Sequence, residues 1–274
     1  MKKQQQNPYV DYIPAEIKTR MDNGEIIELK EPVQLPLWPE TARIIPNHIA
    51  RCALFVPIQR GARKSYSNEL LPSRSDAVIH YDGKQLDMAD QDVFLQMLEY
   101  FKNLDLDEEF IIVKRSDLLK SIGKTTGKND YKWLDESMLR LRGGLLTIET
   151  KQYKVILNML SYYAYNKETK ECKVGLHKEI KTLFSNKEFG YINWNHRRAI
   201  KNKVNLSKWL QTYISAHQKG EQNHRIDTIH KLCGSNTRIN DFRGDVEEAL
   251  KELVRVGEII RLKVTKDNTS FIKK

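Results

Sequence analysis

The chain has 274 residues, enough for about two domains, and 40% of them are hydrophobic, which is sufficient for a buried core. Its net charge of +10 and its pI near 9.3 favour a polyanionic partner. Three scattered cysteines without a CxxC pair argue against a disulfide scaffold or a zinc site. Because the sequence has neither a signal-peptide pattern nor an apolar run of ~18 residues, we expect a cytoplasmic protein without a membrane segment or a cofactor.

Positive charge is concentrated in three segments rather than spread evenly. The net charge is −6 over Lys84–Phe110, +4 over Lys114–Gly143, +6 over Lys178–Leu210 and +4 over Arg261–Lys274. Segmental charge of this kind is typical of a protein with one face turned towards nucleic acid.

Residues 1–45 are predicted to form a flexible arm with one short apolar island, Gln34-Leu-Pro-Leu-Trp38. Prolines in and around the island exclude a helix there. Further along, Ala77–Tyr81 is predicted as a strand that the Asp82-Gly83 turn ends. Apolar residues at helical spacing predict a helix over Asp87–Phe101, with its acidic residues on the solvent face, and Phe110–Val113 is predicted as a strand.

A helix, a turn, a second helix and a hairpin are then predicted twice. The first set comprises helices at Ser116–Ile122 and Asp130–Arg142 and strands at Leu145–Thr150 and Lys154–Leu160. The second follows an amphipathic helix around Leu206–Ile214 and comprises helices at Asp227–Cys233 and Asp241–Val256 and strands at Ile259–Val264 and Ser270–Ile272. This order predicts an α+β protein with tandem winged-helix (helix-turn-helix) domains at 46–176 and 177–274.

The two sets align without a gap at an offset of 111 residues. The matched pairs are Lys120/Lys231, Gly123/Gly234, Thr126/Thr237, Asn129/Asn240, Asp130/Asp241, Glu136/Glu247 and Leu139/Leu250. The glycines occur where the first helix must end, and the Asn-Asp pairs are predicted to cap the second helix. The apolar stripe of the first copy slips by about one residue after Trp133, since Asp135 stands opposite Val246. Chance similarity between two helical hairpins is the alternative explanation.

The second helix of a helix-turn-helix enters the major groove with its N-terminal end, so its outward residues meet base edges. Arginine and asparagine can bind guanine and adenine bidentately, which predicts base reading by the second copy and mainly phosphate contacts by the lysine-rich first copy. For each residue the alternative is a solvated helix end. The predicted DNA-binding residues are Lys124, Thr125, Lys128, Asn129 and Lys132 in the first copy, and Asn236, Thr237, Arg238, Asn240, Arg243 and Lys266 in the second.

Several motifs resemble the TrfA family of plasmid replication initiator proteins. They are Gln34-Leu-Pro-Leu-Trp-Pro39, Ile45-Pro-Asn-His48, Ala53-Leu-Phe55, Arg60-Gly-Ala-Arg63, Ile79-His-Tyr-Asp-Gly-Lys-Gln-Leu-Asp87 and Asp90-Gln-Asp-Val-Phe94. The resemblance covers the chain from about Gln34 to the end of the second repeat. It implies tandem winged-helix domains that bind repeated origin sites (iterons) in double-stranded DNA, open adjacent A+T-rich DNA and recruit host replication proteins in a bacterial cytoplasm.

The resemblance also implies partners. These are the host replication initiator, the replicative helicase and a second copy of the chain in a monomer–dimer equilibrium. The island is similar to the Gln-Leu-x-Leu-Phe motif that docks in the bacterial sliding clamp, with Trp in place of the last aromatic residue. On that similarity Gln34, Leu35, Leu37 and Trp38 would bind the clamp. The alternative is a segment that packs on its own domain.

Two other functions remain open at this stage, a winged-helix transcriptional regulator and a rolling-circle nicking initiator. A nickase needs a nucleophilic tyrosine and a pair of metal-binding histidines, and the seven histidines contain no His-x-His pair. The loop from Gly123 to Asn129 has three residues between its glycines and asparagine after the lysine, so it does not match a Walker A loop. We therefore expect a protein that is not an enzyme and holds no metal.

Overall fold

An antiparallel pair of strands joins two distant parts of the chain: β1 (Ala42–Pro46) pairs with β11 (Phe189–Asn193), and Ile44 lies opposite Tyr191. Every residue of β1 is buried. The computed structural model describes residues 35–58, 63–104, 110–201 and 205–274, without the side chains of 185–187. Within these ranges the protein is a mixed α+β structure in a single compact unit.

The first part of the chain contains most of the strands. After β1 come α1 (Asn47–Ala50), β2 (Phe55–Val56), β3 (Ser65–Leu70), β4 (Val78–Lys84), β5 (Leu86–Asp87), α2 (Met88–Phe101), β6 (Ile111–Lys114), α3 (Arg115–Ser121), α4 (Lys128–Gly143), β7 (Leu145–Glu149), β8 (Lys154–Asn158), β9 (Leu160–Tyr165), β10 (Glu171–Leu176) and a 3-10 helix (Lys178–Lys187). After β11 come α5 (Trp194–Ala199), α6 (Leu206–Ser215), β12 (Gly220–Arg225), α7 (Ile226–Leu232), α8 (Ile239–Arg255), β13 (Ile259–Val264) and β14 (Asn268–Lys273).

The order of elements repeats across the described residues. The series β1, α1, α2, β6, α3, α4, β9, β10 is matched by β11, α5, α6, β12, α7, α8, β13, β14. In each copy the last two strands and the strand before the helix pair form a three-stranded sheet, ordered β6-β10-β9 and β12-β14-β13. The first copy has additional strands, which build the sheet β3-β4-β7-β8 and the parallel pair β2-β5.

The hairpin predicted after the second helix of the first copy is present, but it is not the counterpart of the hairpin in the second copy. Leu145–Thr150 and Lys154–Leu160 do form paired strands, β7 and β8, but β7 also pairs with β4, and the counterpart of β13–β14 is β9–β10. The buried residues Ile79 and Tyr81 lie opposite Ile148 and Leu146 across β4 and β7. Alternation of polar and apolar residues defines which face of a strand is buried, but it does not define the neighbouring strand.

Helix α2 is where it was predicted, with Asp87 as its N-cap and Asp90 completing a capping box. The prediction that its acidic residues face solvent is wrong, because Asp90 and Asp92 are buried. Asp90 accepts hydrogen bonds from Ser137 Oγ (2.6 Å) and from Arg140 Nη2 (2.7 Å), so it fixes α4 against α2. Helical periodicity locates an amphipathic face, but it cannot show that a second face is covered by partners of opposite charge.

Asp92 joins the two copies. Its carboxylate accepts from Arg197 Nε of α5 (2.7 Å) and pairs with Lys208 of α6. The guanidinium of Arg197 also donates to Gln91 Oε1 (2.8 Å) and to Thr212 Oγ1 (3.2 Å). Two helices of the second copy are thereby tied to α2 of the first through buried polar groups.

The three cysteines, Cys52, Cys172 and Cys233, are free thiols and are buried. Burial raises the pKa of each thiol, which keeps the thiols protonated and unreactive. No helix among the described ranges is both long and apolar enough to cross a membrane.

Candidate nucleic-acid interface

The repeat of two helices joined by a turn, predicted from the sequence, is present in the structure at the same offset of 111 residues. Helices α3 and α7 begin and end at matching positions, and α4 and α8 begin at matching positions. Gly123 (φ +77°) and Gly234 (φ +66°) both adopt the left-handed conformation. Each turn is closed by equivalent backbone bonds, from Gly123 N to Lys120 O (3.0 Å) and from Gly234 N to Lys231 O (3.1 Å). The glycines are required here because an L side chain is strained at positive φ.

The predicted capping role of the Asn-Asp pairs is wrong in both copies. Helix α4 begins at Lys128 after Gly127, and α8 begins at Ile239 after Arg238, without a side-chain bond at either cap. The two aspartates lie in the first helical turn, where a carboxylate stabilises the positive end of the helix dipole. They bind side chains instead. Asp130 accepts from Thr125 Oγ1, and Asp241 pairs with Arg238 Nε at 3.1 Å.

In the first copy the predicted DNA-binding residues surround the start of α4. Lys128 and Asn129 are exposed, and Lys132 is 79% exposed, with only a 4.0 Å contact to Glu136 one turn further along. Lys124 is more restrained, since its ammonium lies 3.9 Å from the centre of the Trp133 ring. The structure thus gathers these predicted residues at the N-terminal end of one helix.

In the second copy the predicted DNA-binding residues surround the start of α8. Asn236 and Thr237 in the turn, Asn240 on the helix and Lys266 in the β13–β14 turn are all exposed. Arg243 lies one helical turn beyond Ile239, and its Nη1 donates to Asn240 Oδ1 at 2.6 Å. The same guanidinium approaches Asp267 Oδ1 of the hairpin at 3.5 Å. The hairpin and the helix therefore present their polar groups side by side.

The slip in the apolar stripe has a structural cause. Position 135 corresponds to position 246, and position 115 to position 226. In the second copy Ile226 and Val246 are buried apolar residues, whereas in the first copy Arg115 donates to Asp135 at 2.6 Å. Tyr163 of β9 also donates to Asp135, at 2.5 Å. An ion pair thus replaces an apolar pair at equivalent positions.

The alignment of Leu139 with Leu250 does not extend to their environments. Leu139 is exposed, whereas Leu250 is buried. The buried face of α4 is formed instead by Leu134, Ser137, Met138 and Leu141. On this helix Ser137 and Arg140 bind Asp90 of α2.

Sequence reasoning missed Arg198, which is exposed on α5. Its Nε lies 4.0 Å from the point where a Cβ on Gly123 would stand, so it flanks the turn of the first copy. Helix α5 lies between the copies, since Trp194 Nε1 donates to Ser121 O (3.3 Å) and Arg255 Nη2 donates to Ala199 O (2.6 Å). The net charge of +6 over Lys178–Leu210 was the only sequence signal for this basic group.

The island that is similar to the clamp-binding motif is only partly exposed. Gln34 is outside the described residues. Leu35 and Trp38 are buried, and Trp38 Nε1 donates to Glu99 Oε2 of α2 at 2.6 Å, while Leu37 is 74% exposed. From residue 35 onward the predicted flexible arm is therefore packed on the protein, which favours the alternative that this segment belongs to its own domain.

The described residues share their fold with RctB and with the Pi initiator protein. A structure of domains 2 and 3 of RctB, as a selenomethionine derivative, matches with a TM-score of 0.55 at 14% identity over 83% of this chain and 96% of the RctB chain. The Pi initiator protein in complex with iteron DNA matches with a TM-score of 0.50 at 16% identity over 69% of this chain and 92% of the Pi chain. At such identities the likeness establishes the α+β fold.

Sequence comparison identifies the family. The model of the TrfA protein family matches residues 24–273, and the chain belongs to this family. The plasmid replication initiator protein TrfA of Escherichia coli is 26% identical over 225 residues, which are 79% of this chain and 58% of that protein. The chain thus covers little more than half the length of this relative.

Proposed function

We propose that the protein is a plasmid replication initiator that binds iterons in double-stranded origin DNA. The observation that carries the proposal is the duplicated strand–helix–turn–helix–hairpin unit, with exposed cationic and amide side chains at the start of the second helix in each copy. Membership of the TrfA family and the fold shared with an iteron-bound initiator support it. We interpret each copy as a winged-helix domain, with the predicted limits 46–176 and 177–274.

In the proposed complex α4 and α8 enter major grooves with their N-terminal ends. The first turn of each helix carries a positive partial charge that attracts phosphate. Arg243 and Asn240 have the donors and acceptors that can discriminate guanine and adenine in the second copy. Lys128 and Lys132 would hold phosphates in the first copy, and Lys266 would do so from the second hairpin.

The buried tie between the copies supports a fixed spacing of the two helices on DNA. The β1–β11 pair, the Asp92–Arg197 bond and the contacts of α5 leave little freedom for one copy to move against the other. Two major-groove helices one DNA turn apart cover about 20 bp. We propose that several copies on adjacent iterons deform the DNA with binding energy and so open A+T-rich sequence nearby.

The remaining steps of initiation require partners. We propose that the open origin is handed to the host replication initiator and the replicative helicase in the bacterial cytoplasm, and that the chain exchanges between monomer and dimer. Use of the sliding clamp through Leu35, Leu37 and Trp38 would require the island to leave its present packing. We propose no enzymatic step. Incubation with supercoiled plasmid and Mg²⁺ should therefore give no relaxed circles, and relaxation would indicate a nicking initiator.

A nuclease footprint on the origin region of the plasmid that encodes the chain tests the proposal. Protection should cover directly repeated sites of about 20 bp each beside A+T-rich DNA. Protection of one inverted repeat over a promoter would instead indicate a transcriptional regulator.

Two variants test the division of roles between the copies. Arg243→Ala should weaken binding to the protected site by about 1–3 kcal/mol and relax specificity at one base pair. Lys128→Ala should weaken binding to all duplexes alike and reduce the salt slope by about one. Equal losses on cognate and random DNA for Arg243→Ala would contradict base reading by the second copy.

A further inference from the structure

We infer that Asp267, in the turn of the second hairpin, restrains Arg243 and thereby reduces binding to DNA of the wrong sequence. The inference rests on the proposed function, and it assigns a specificity-determining role to a residue that points a negative charge towards the proposed DNA face.

Arg243 is held from two sides. Its Nη1 donates to Asn240 Oδ1 on the same helix at 2.6 Å, and its Nη2 lies 3.5 Å from Asp267 Oδ1. The side chain is only 28% exposed, and its Nε is buried without a hydrogen-bond partner. Because the guanidinium is planar, these contacts fix its orientation as well as its position.

The hairpin presents Asp267 from a well-anchored turn. The carbonyl oxygen of Asp267 accepts from Ile226 N, the first residue of α7, at 2.9 Å. Thr265 N donates to Asn268 O at 2.8 Å, and Thr265 Oγ1 accepts from Asn268 N at 3.1 Å. The backbone is therefore bound to the body of the domain, while the carboxylate is 67% exposed and free to face a ligand.

The first copy has the opposite charge at the equivalent position. Arg115 N donates to Lys170 O at 3.4 Å, as Ile226 N donates to Asp267 O, and positions 115 and 226 differ by the repeat offset. Lys170 thus stands where Asp267 stands in the second copy, and Lys132 stands where Arg243 stands. Two cations in the first copy correspond to an ion pair in the second.

Pairing extends to the other arginines that flank α7 and α8. Arg225 donates to both carboxylate oxygens of Asp227, at 3.0 and 2.7 Å, and this bond holds the pKa of Asp227 below its ordinary value. Arg238 pairs with Asp241 at 3.1 Å. The arginines that flank α7 and α8 are thus matched by carboxylates. In the first copy Lys128 is exposed, and Lys170 Nζ donates to the backbone carbonyl of Lys167 at 2.5 Å rather than to a carboxylate.

The pairing of arginines with carboxylates in the second copy has a physical consequence. Attraction of cations to phosphate does not depend on sequence, and it supplies most of the non-specific affinity. A carboxylate beside the reading arginine repels phosphate, so Arg243 gains a DNA contact only where a base edge replaces Asp267 as its partner. Specificity is a difference of affinities, and a repulsive element widens that difference.

The test uses the full chain and a duplex chosen by the protein itself. Wild-type protein selects a cognate sequence from a randomised 30-bp duplex library, and a scrambled duplex of the same composition serves as random DNA. Fluorescence anisotropy at several salt concentrations then compares wild type, Asp267→Asn and Glu248→Gln. Glu248 is an exposed carboxylate of α8 outside these ion pairs, so its variant has the same change in net charge.

Asp267→Asn should lower the Kd for random DNA about three- to fivefold and steepen its salt slope by about one, while the cognate Kd changes less than about twofold. Glu248→Gln should change both values less. The inference is overturned if the two variants behave alike, or if Asp267→Asn loses cognate affinity with unchanged random binding, since Asp267 would then read DNA itself. Failure of the wild type to enrich any sequence would overturn the proposed function, and this inference with it.

A reciprocal variant tests the comparison of the copies. Lys170→Asp places a carboxylate at the equivalent position of the first hairpin, and it should raise the Kd for random DNA and make the salt slope shallower. An unchanged slope would contradict the equivalence of the two turns. Thermal melts of each variant check that it is folded as stably as the wild type.

Discussion

Replacing Asp92 with asparagine should destabilise the protein severely, because the change removes the anion from a buried ion pair that joins the two copies. Arg197 is 1% exposed, and its Nε donates to Asp92 Oδ1 at 2.7 Å. Lys208 pairs with the second oxygen of the same carboxylate. In Asp92→Asn both cations remain while their negative partner is lost.

The expected magnitude follows from the burial of these groups. Removing one partner of a buried ion pair typically costs about 3–5 kcal/mol, because an uncompensated charge stays in the interior. An exposed helix pair contributes about 0–1 kcal/mol. Glu247 and Lys251, 2.7 Å apart on α8, form such an exposed pair. Glu247→Gln is therefore a matched control with the same loss of one carboxylate.

The same ion pair predicts a dependence on pH. Burial alone would raise the pKa of Asp92, but the charges of Arg197 and Lys208 outweigh burial and lower the pKa below its ordinary value. A lowered pKa means that this stabilisation is fully present above the unfolded-state pKa of about 4 and is lost as the pH falls through the folded-state value. The contribution should therefore be constant from neutral pH down to about pH 5.

Urea denaturation followed by circular dichroism measures the free energy of unfolding of wild type, Asp92→Asn and Glu247→Gln at pH 7. A loss of less than about 1 kcal/mol for Asp92→Asn, or a loss equal to that of the control, would refute the argument that the charge is buried and compensated. A change in the slope m would indicate instead that the two copies unfold separately in the variant.

Three further predictions concern the glycines that end α3 and α7, two histidines of the second copy, and Arg198 of α5. Gly234→Ala should destabilise more than Gly123→Ala, by denaturation, because both have positive φ but only at Gly234 would a Cβ meet side chains at 3.1–3.2 Å. Burial lowers the pKa of His217 and of His224 to about 4, so stability should fall as the pH drops from about 6.5 to about 4, and a flat profile of urea midpoints would contradict this. We expect Arg198, exposed on α5 beside the Gly123 turn, to contact a phosphate, so Arg198→Ala should weaken binding to cognate and random duplexes equally in anisotropy. A loss confined to the cognate duplex would contradict that contact.

The repeat was predictable from the sequence because it depends on local chemistry. A glycine is needed wherever the backbone must take a positive φ at the end of a helix, and Gly123 and Gly234 mark that point in both copies. Helical spacing of apolar residues located α2, α6 and α8 to within a few residues. The exposed positions around the starts of α4 and α8 followed from these elements.

What the sequence could not determine depends on contacts between distant residues. Strand alternation predicted β7 and β8 but not the pairing of β7 with β4, because the residues of a strand do not define which strand lies beside it. Likewise the sequence pattern predicted that Asp90 and Asp92 face solvent. In the structure they bind Arg140 and Arg197, which are distant in the chain.

Local sequence thus determined the two turns that end at Gly123 and Gly234, helices α2, α3, α4, α6, α7 and α8, and the residues at the start of α4 and α8, since these properties depend on near neighbours. Tertiary structure alone decided which charges are buried and paired, that Leu35 and Trp38 pack on the protein, and that Asp267 stands beside Arg243. The physical reason is that the free energy of a charge or an apolar group depends on what surrounds it, and those surroundings come from residues far away in the chain.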